Sequence, residues 1–481
     1  MDNCKKRVRK KTFWIVLGIL CYFAITMYYH THKALPEGLS FEGKVHHVED
    51  INFIYDLPYL DHQGEFHHEG RIFDRVNQII QEAEEFIVLD MFLFNHFYDG
   101  KYNMPKLSQN LTTALINKKK QNPETEIVLI TDHINTTYGS HTTAEFEKLR
   151  QNGVQVIFSD LKPLRDSNFL YSSVWRTFFQ WFQSEPGDQG WLPNPMSNTA
   201  PEVTLRSYLE LLNIKANHRK VIVTDKTSLV TSGNPHNASG FHSNIAFEIK
   251  GNIKRDFLAS EKAIAEYSKE DTLPTLPKKK KEKGDIQVQV LTEGKIYQRI
   301  LEEVKSTKKG QEIWLGMFYL AERNIITELI NASERGVKVR IILDPNQNAF
   351  GQQKMGLPNI PVAKELNEAG NKSLQIKWYN TKMEQYHTKL LYIKKREHSI
   401  ILGGSANYTT RNLKDLNPET NVWIKTPKAN ELDQELSSYF HRIWKNKDAD
   451  YTQEYSSQDY SIAWLQYIGY RIQKALNFTT Y

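Results

Sequence analysis

The strongest constraint on this chain is that it repeats itself. The octapeptide Glu69-Gly70-Arg71-Ile72-Phe73-Asp74-Arg75-Val76 returns as Glu293-Gly294-Lys295-Ile296-Tyr297-Gln298-Arg299-Ile300. Each copy runs through a helical stretch into an apolar segment, residues 86–94 and 313–320, and then into a second, residues 127–132 and 339–344. After a third strand, each half closes on a His-x-Lys element, His218-Arg219-Lys220 and His387-Thr388-Lys389. Matched landmarks in one order mean one unit built twice. Short apolar runs alternating with helical segments read as parallel βαβ units, so the expected fold class is α/β with two duplicated lobes packed as one bilobal unit.

The expected divisions follow from composition along the chain. Residues 45–270 form the first lobe and 286–450 the second, joined by a Pro- and Lys-rich linker at 271–285 and followed by a tail at 451–481. The halves differ between the third strand and the His-x-Lys element, about 60 residues from Phe158 to His218 against about 8 from Tyr379 to His387. The first half therefore carries an insertion near 160–215. Within it, residues 169–183 place Tyr171, Val174, Trp175, Phe178 and Phe182 at helical spacing. That stretch is either a helix packed on the lobes or a wall that meets a membrane interface or acyl chains.

Charge settles where the ends go. The net charge is +6, but residues 1–12 carry six basic groups against Asp2, and residues 278–283 carry five lysines against Glu282. The remainder is slightly acidic, so a broad basic footprint for duplex nucleic acid is missing. Residues 13–29 lack a formal charge, directly after the basic cluster, which reads as a single transmembrane signal anchor or as a signal peptide with an unusual cleavage site. As an anchor, it keeps 1–12 as a cytoplasmic tail and puts the body on the extracytoplasmic side of a cell membrane. Both cysteines, Cys4 and Cys21, lie in tail or span; a Cys-free exported body fits a bacterial envelope.

The chemistry sits in the repeated motif. On a strand, residues two apart share a face, so His218 projects with Lys220 and His387 with Lys389. Each motif leads through a turn into a second strand ending in Gly233-Asn234 or Gly404-Ser405-Ala406-Asn407. Two such sets facing each other suit a phosphodiester: Lys and Asn donors hold the nonbridging oxygens, one imidazole attacks phosphorus and the other protonates the leaving oxygen. No metal or other cofactor is expected, since the spacings of Asp132-His133 and of His62, His67 and His68 match no standard ligand set. His236, His242 and His398 lack a partner pattern and are assigned to surface or packing.

His218-x-Lys220-x4-Asp225 followed by Gly233-Asn234 resembles the HKD motif of the phospholipase D superfamily, and the second copy resembles it with Lys394 where the Asp would stand. The resemblance covers about residues 45–450. It implies a pair of α/β lobes with one site at their interface, so that a monomer suffices, and catalysis through a phosphohistidine without metal. It further implies His218 as nucleophile and His387 as general acid and base, or the two in exchanged roles, and Glu248 and Glu419 as carboxylates that orient the histidines. Asp225 is expected to brace the strand turn. Similarity to the bacterial cardiolipin synthase branch implies a phosphatidylglycerol-like phospholipid substrate and an alcohol or water acceptor. The alternatives are an anchored nuclease on single-stranded nucleic acid, which the charge distribution disfavours, and a non-catalytic lipid-binding protein with a degenerate second motif.

Overall fold

The computed structural model describes residues 2–98, 103–182, 190–270, 273–275, 279, 281–349, 352–382, 384–456, 467–469 and 471. Lys278 and Lys280 of the lysine run in the expected linker, residues 183–189 of the insertion and most of the tail beyond 456 lie outside the described residues.

In chain order, β1 (His46–Val48) precedes β2 (Ile51–Leu60), β3 (Phe66–Glu69), β4 (Phe86–Met91), β5 (Glu126–Thr131), β6 (Gln155–Phe158), β7 (Lys220–Thr224), β8 (Thr227–Thr231) and β9 (Asn244–Lys250). The second half holds β10 (Ile286–Thr292), β11 (Glu312–Met317), β12 (Lys338–Leu343) and the short pair β13 (Asn348–Ala349) and β14 (Gln352–Gln353). It continues with β15 (Leu374–Tyr379), β16 (Lys389–Lys394), β17 (His398–Gly404), β18 (Thr420–Pro427) and β19 (Thr452–Glu454). The two large sheets run β3-β2-β9-β8-β7-β4-β5-β6 and β1-β10-β18-β17-β16-β11-β12-β15-β19. Without the edge strands β1, β3 and β19, the two orders coincide strand for strand, so the sequence repeat is a repeat of topology. The two-lobed α/β expectation holds.

The parallel βαβ units occupy only part of each sheet. Only β4, β5 and β6, and their counterparts β11, β12 and β15, run parallel; β7 pairs antiparallel with β4, and β16 with β11. Helices such as Leu107–Gln121 and Arg323–Glu334 cross over between the parallel strands, whereas β7 and β8 are joined by a turn that only antiparallel neighbours allow.

Three apolar cores set the layers. Along the fully buried β4, Phe86 and Val88 enter a central core while Ile87, Leu89 and Met91 enter an outer one, the two-residue period of a strand covered on both faces. The outer cores hold helices such as Ile72–Glu82 and Glu293–Lys305 against the sheets. The central core is shared by both lobes: Lys254–Tyr267 and Glu431–Trp444 lie in it, with Val221 and Phe247 from one sheet and Leu390 and Ile424 from the other. Two strands extend the second sheet from the chain's flanks, since β1 pairs with β10 and β19 with β15.

The N-terminal helix spans Asp2–His32, and the most apolar 18 residues within its stretch Arg9–His32 have mean hydropathy 1.7, long and apolar enough to cross a membrane. The insertion departs from one continuous helix. Phe169–Val174 is α-helical and Trp175–Phe179 forms a π-helical turn. Asp166 ties this segment down, accepting from Ser172 Oγ (2.5 Å), Arg176 Nη2 (2.7 Å) and Lys215 Nζ (2.9 Å), all buried.

Candidate active site

Each His-x-Lys element lies beside the carboxyl end of its lobe's first parallel strand, because β7 pairs Lys220 with Met91 and β16 pairs Lys389 with Met317. The strands begin at the lysines, so both histidines stand just ahead of regular structure rather than within it. Two buried aspartates fix that approach. Asp132 Oδ2 accepts from the N–H of Asn217 (2.7 Å) and Asp344 Oδ2 from that of Tyr386 (2.6 Å), the residues preceding each histidine. Burial pushes both carboxyls up to about 7. Asp132 therefore anchors backbone.

The residue after each parallel strand completes a matched cage. Phe92 lies 4.7 Å from the His218 ring and 5.1 Å from Lys220 Nζ; Phe318 lies 5.0 Å from His387 and 5.2 Å from Lys389 Nζ, centroid distances in each case. Each lysine also donates 2.8 Å to the carbonyl of its own motif histidine. Those contacts pin the ammonium groups. Burial brings Lys220 down to about 8, against the pull of Glu419, and lowers Lys389 well below its usual range, with Lys220 adding to the effect.

The lobes exchange orienting groups. His218 Nδ1 is 2.7 Å from Glu419 Oε1 of the second lobe, and His387 Nδ1 is 3.0 Å from Asn244 Oδ1 of the first. Glu419 is fully buried and is also held by Ser405 Oγ and Asn412 Nδ2. Asn244 donates its NH2 to the carbonyls of His242 (3.2 Å) and Ser239 (3.4 Å), which can only accept, so its oxygen must face His387. With an acceptor on each Nδ1–H, the lone pair of each neutral ring is on Nε2. Burial is the main cause lowering His218 to about 4 and His387 well below its usual range, and Lys220 and Lys389 push the same way, so both rings are neutral near pH 7 in the unliganded protein.

His218, His387, Asn234 and Asn407 line one cavity of about 490 Å³ between the lobes. Asn234 Oδ1 accepts from the Leu93 N–H (3.3 Å), which turns its amide NH2 away from the backbone. Among the described residues, the buried Oδ1 of Asn407 has no protein partner. The cavity wall is otherwise mixed, with Phe92, Ile134, Tyr138, Met196, Leu211, Phe318 and Leu357 beside polar groups. His236 and His242 also belong to this wall, where the sequence assigned them to surface or packing. His398, by contrast, opens the edge of β17 away from it.

Two expected site residues stand elsewhere. Glu248 binds Arg75 Nε (2.8 Å) and Nη2 (2.7 Å) and Asn52 Nδ2 (3.1 Å), and touches neither histidine. The position equivalent to Glu419 is Asn244, because Ser232 and Ser405 make matching bonds to Asn244 and Glu419, and their N–H groups to the carbonyls of Ile245 and Thr420. Four residues of strand, about 13 Å, separate Asn244 from Glu248. Counting from Asn234 misplaced it because the connecting loops of the two lobes differ in length. The shared Ser-to-strand pairing is the signal that finds Asn244, and it needs the sheet register. Asp225 sits at the far end of β7, accepting from the N–H groups of Glu84 (2.9 Å) and Glu85 (3.2 Å) and so bracing the turn. Lys394, at the matching place, instead donates to Ser437 Oγ (3.1 Å).

Residues 300–444 match the family described as cardiolipin synthase, phospholipase D-like domain. Among curated proteins, none matches the chain in sequence. In fold, the chain is similar to phosphatidylserine synthase from Haemophilus influenzae, with a TM-score of 0.57 and 12% identity over 91% of this chain and 95% of that one. Weaker similarities include polyphosphate kinase from Porphyromonas gingivalis (TM-score 0.44, 14% identity, 89% and 53% covered). The nuclease Nuc from Salmonella typhimurium is similar over 36% of this chain and all of its own, with a TM-score of 0.28 and 17% identity. The second lobe thus matches a phospholipase D-like family in sequence, and the whole chain is similar to phosphatidylserine synthase in its bilobal fold.

Proposed function

We propose that this protein is a membrane-anchored phospholipid phosphodiesterase or phosphatidyltransferase, similar to cardiolipin synthases, that works through a phosphohistidine. The observation that carries the reading is the exchanged pair of histidines, each with its Nδ1 held by the other lobe and both facing one cavity with two lysines behind them. In the first step His218 Nε2 attacks phosphorus, the P–N bond forms, and the bond to the leaving alkoxide breaks. His387 Nε2 supplies the proton to that oxygen. In the second, His387 takes the proton of an alcohol or water whose oxygen attacks phosphorus, and the P–N bond breaks. Atoms and protons return to the starting state.

The assignment of roles rests on charge. Forming the P–N bond leaves the His218 ring cationic, and the Glu419 carboxylate stabilises that cation where an amide such as Asn244 offers only a dipole. His387 must gain a proton before it gives one. The anionic phosphodiester, entering beside Lys220 and Lys389, offsets the charges that hold its pKa down. Asn234 and Asn407, which line the same cavity, contact the nonbridging oxygens in this reading.

The name of the matched family and the partly apolar wall support a lipid, phosphatidylglycerol-like, over a nucleic acid. The apolar Arg9–His32 stretch supports anchoring, and the basic residues before it favour a cytoplasmic N-terminus with the body outside. The test supplies the full chain with phosphatidylglycerol vesicles and, separately, single-stranded DNA. Cardiolipin or phosphatidic acid is expected, with an acid-labile phosphoenzyme that His218→Ala abolishes. Nucleotide release alone overturns the lipid reading, failure of the wild type to trap a phosphoenzyme overturns the covalent step, and a phosphoenzyme that survives His218→Ala overturns His218 as the nucleophile.

A further inference from the structure

The N-terminal helix is fastened to the aromatic insertion at two levels. Phe23, Thr26, Met27 and His30 are half-buried, a single helical stripe, while Tyr22, Ile25, Tyr28 and Tyr29 on the other sides are exposed or nearly so. Phe23 meets Phe178 with ring centroids 6.0 Å apart. Farther along, the His30 carbonyl accepts from the Asp166 N–H (3.0 Å), the Lys33 carbonyl from Arg165 Nε (2.8 Å), and Lys33 Nζ donates to the Lys162 carbonyl (2.9 Å). Helix and insertion are therefore joined both by ring contact and by hydrogen bonds.

The insertion turns large apolar groups to solvent: Phe178, Phe182 and Trp191 are more than half exposed, and Trp181 is 73% exposed. Single exposed apolar residues are ordinary, but a group of them on one segment beside an apolar helix is not. Depth supplies the explanation. Phe23 lies six residues before Tyr29, which at roughly 1.5 Å per residue is about 9 Å along the axis. With Tyr28 and Tyr29 at the aromatic belt where the helix leaves the hydrocarbon, a ring touching Phe23 sits at the depth of about 5–10 Å that interfacial helices reach.

We infer that the insertion is a membrane seat: Phe178, Trp181, Phe182 and Trp191 are immersed in the leaflet that the N-terminal helix enters, on the body's side. This rests on the reading of that helix as an anchor and of the substrate as a lipid. The same insertion also builds one wall of the catalytic cavity, through Pro195, Met196, Leu211 and Ile214. It thus joins bilayer to cavity, so a lipid presents its phosphodiester to His218 and His387 while its acyl chains stay in the leaflet. The occupant of the exposed face is the bilayer surface rather than a second copy.

The experiment uses the full chain with Cys4→Ser and Cys21→Ser, carrying Trp181→Cys or Trp191→Cys labelled with an environment-sensitive fluorophore, in phosphatidylcholine–phosphatidylglycerol vesicles. Lys372→Cys, exposed on the second lobe, is the control. The seat requires a blue shift and quenching by brominated lipid at 181 and 191 and neither at 372. Labels at 181 and 191 that stay as wet as the control overturn it, as does a shift that follows protein concentration and ignores bromine, which marks a second copy. Turnover supplies the second readout. Trp181→Asp/Phe182→Asp should slow lipid turnover in vesicles by about tenfold or more while leaving a small water-soluble phosphodiester unaffected. Equal loss on both substrates overturns the seat. Bromine quenching in a protein that turns over no lipid keeps the seat and removes the lipid reading.

Discussion

The two histidines differ in one atom of their orienting partner, a carboxylate oxygen on His218 and an amide oxygen on His387. That difference yields two predictions. Glu419→Gln keeps a hydrogen-bond acceptor for Nδ1 but removes the charge that, in the proposed mechanism, balances a cationic phosphohistidine. Its kcat should fall by roughly 10–100-fold with little change in KM, as for other groups that orient a reactive imidazole. A change confined to KM would place Glu419 in binding instead. Asn244→Asp brings a carboxylate to His387, which raises the pKa of an imidazole that burial now holds well down. The sign follows: the proton stays on His387 to higher pH, so the limb of the kcat–pH profile that reports it should move to higher pH, by about one unit or more. An unmoved profile would separate that limb from His387.

At the scale of elements, the residues of the motif divide by which end of β7 they occupy. His218 and Lys220 stand at the cavity end, while Asp225 closes the other end by accepting from the start of β4. Asp225→Asn should therefore cost stability, on the order of 1–2 kcal/mol by chemical denaturation, and leave turnover per folded molecule unchanged. Loss of turnover in fully folded protein would contradict that division. It also explains how the second lobe manages with Lys394: its turn has a different brace, on Ser437, and the cavity end is intact. The same logic covers Glu248, whose bonds to Arg75 and Asn52 hold the strand β9 to the helix Ile72–Glu82. Side-chain type and spacing made it look like Glu419's twin, yet register along β9 puts it about four residues too far, a shift no motif reveals.

For the whole molecule, the shared central core decides cooperativity. Val221, Phe247, Leu390 and Ile424 pack in one cluster, and β1, from the N-terminal side of the first lobe, completes the edge of the second sheet. The lobes should unfold as one unit, giving a single thermal transition with coincident near- and far-ultraviolet signals. Two separated transitions would show the lobes to be independent. Taken alone, the amino-acid order determined the duplication, the paired His-x-Lys motifs and the apolar helix, because each is a local or periodic pattern that survives being read along a line. Only the tertiary structure decided that Glu419 serves His218 and that Asn244, not Glu248, serves His387, since those contacts join residues 201 and 143 positions apart across the interface between lobes. The same holds for the meeting of Phe23 with Phe178. Contacts of that kind are set by sheet register and by how two cores merge into one, and neither leaves a spacing in the sequence to be counted.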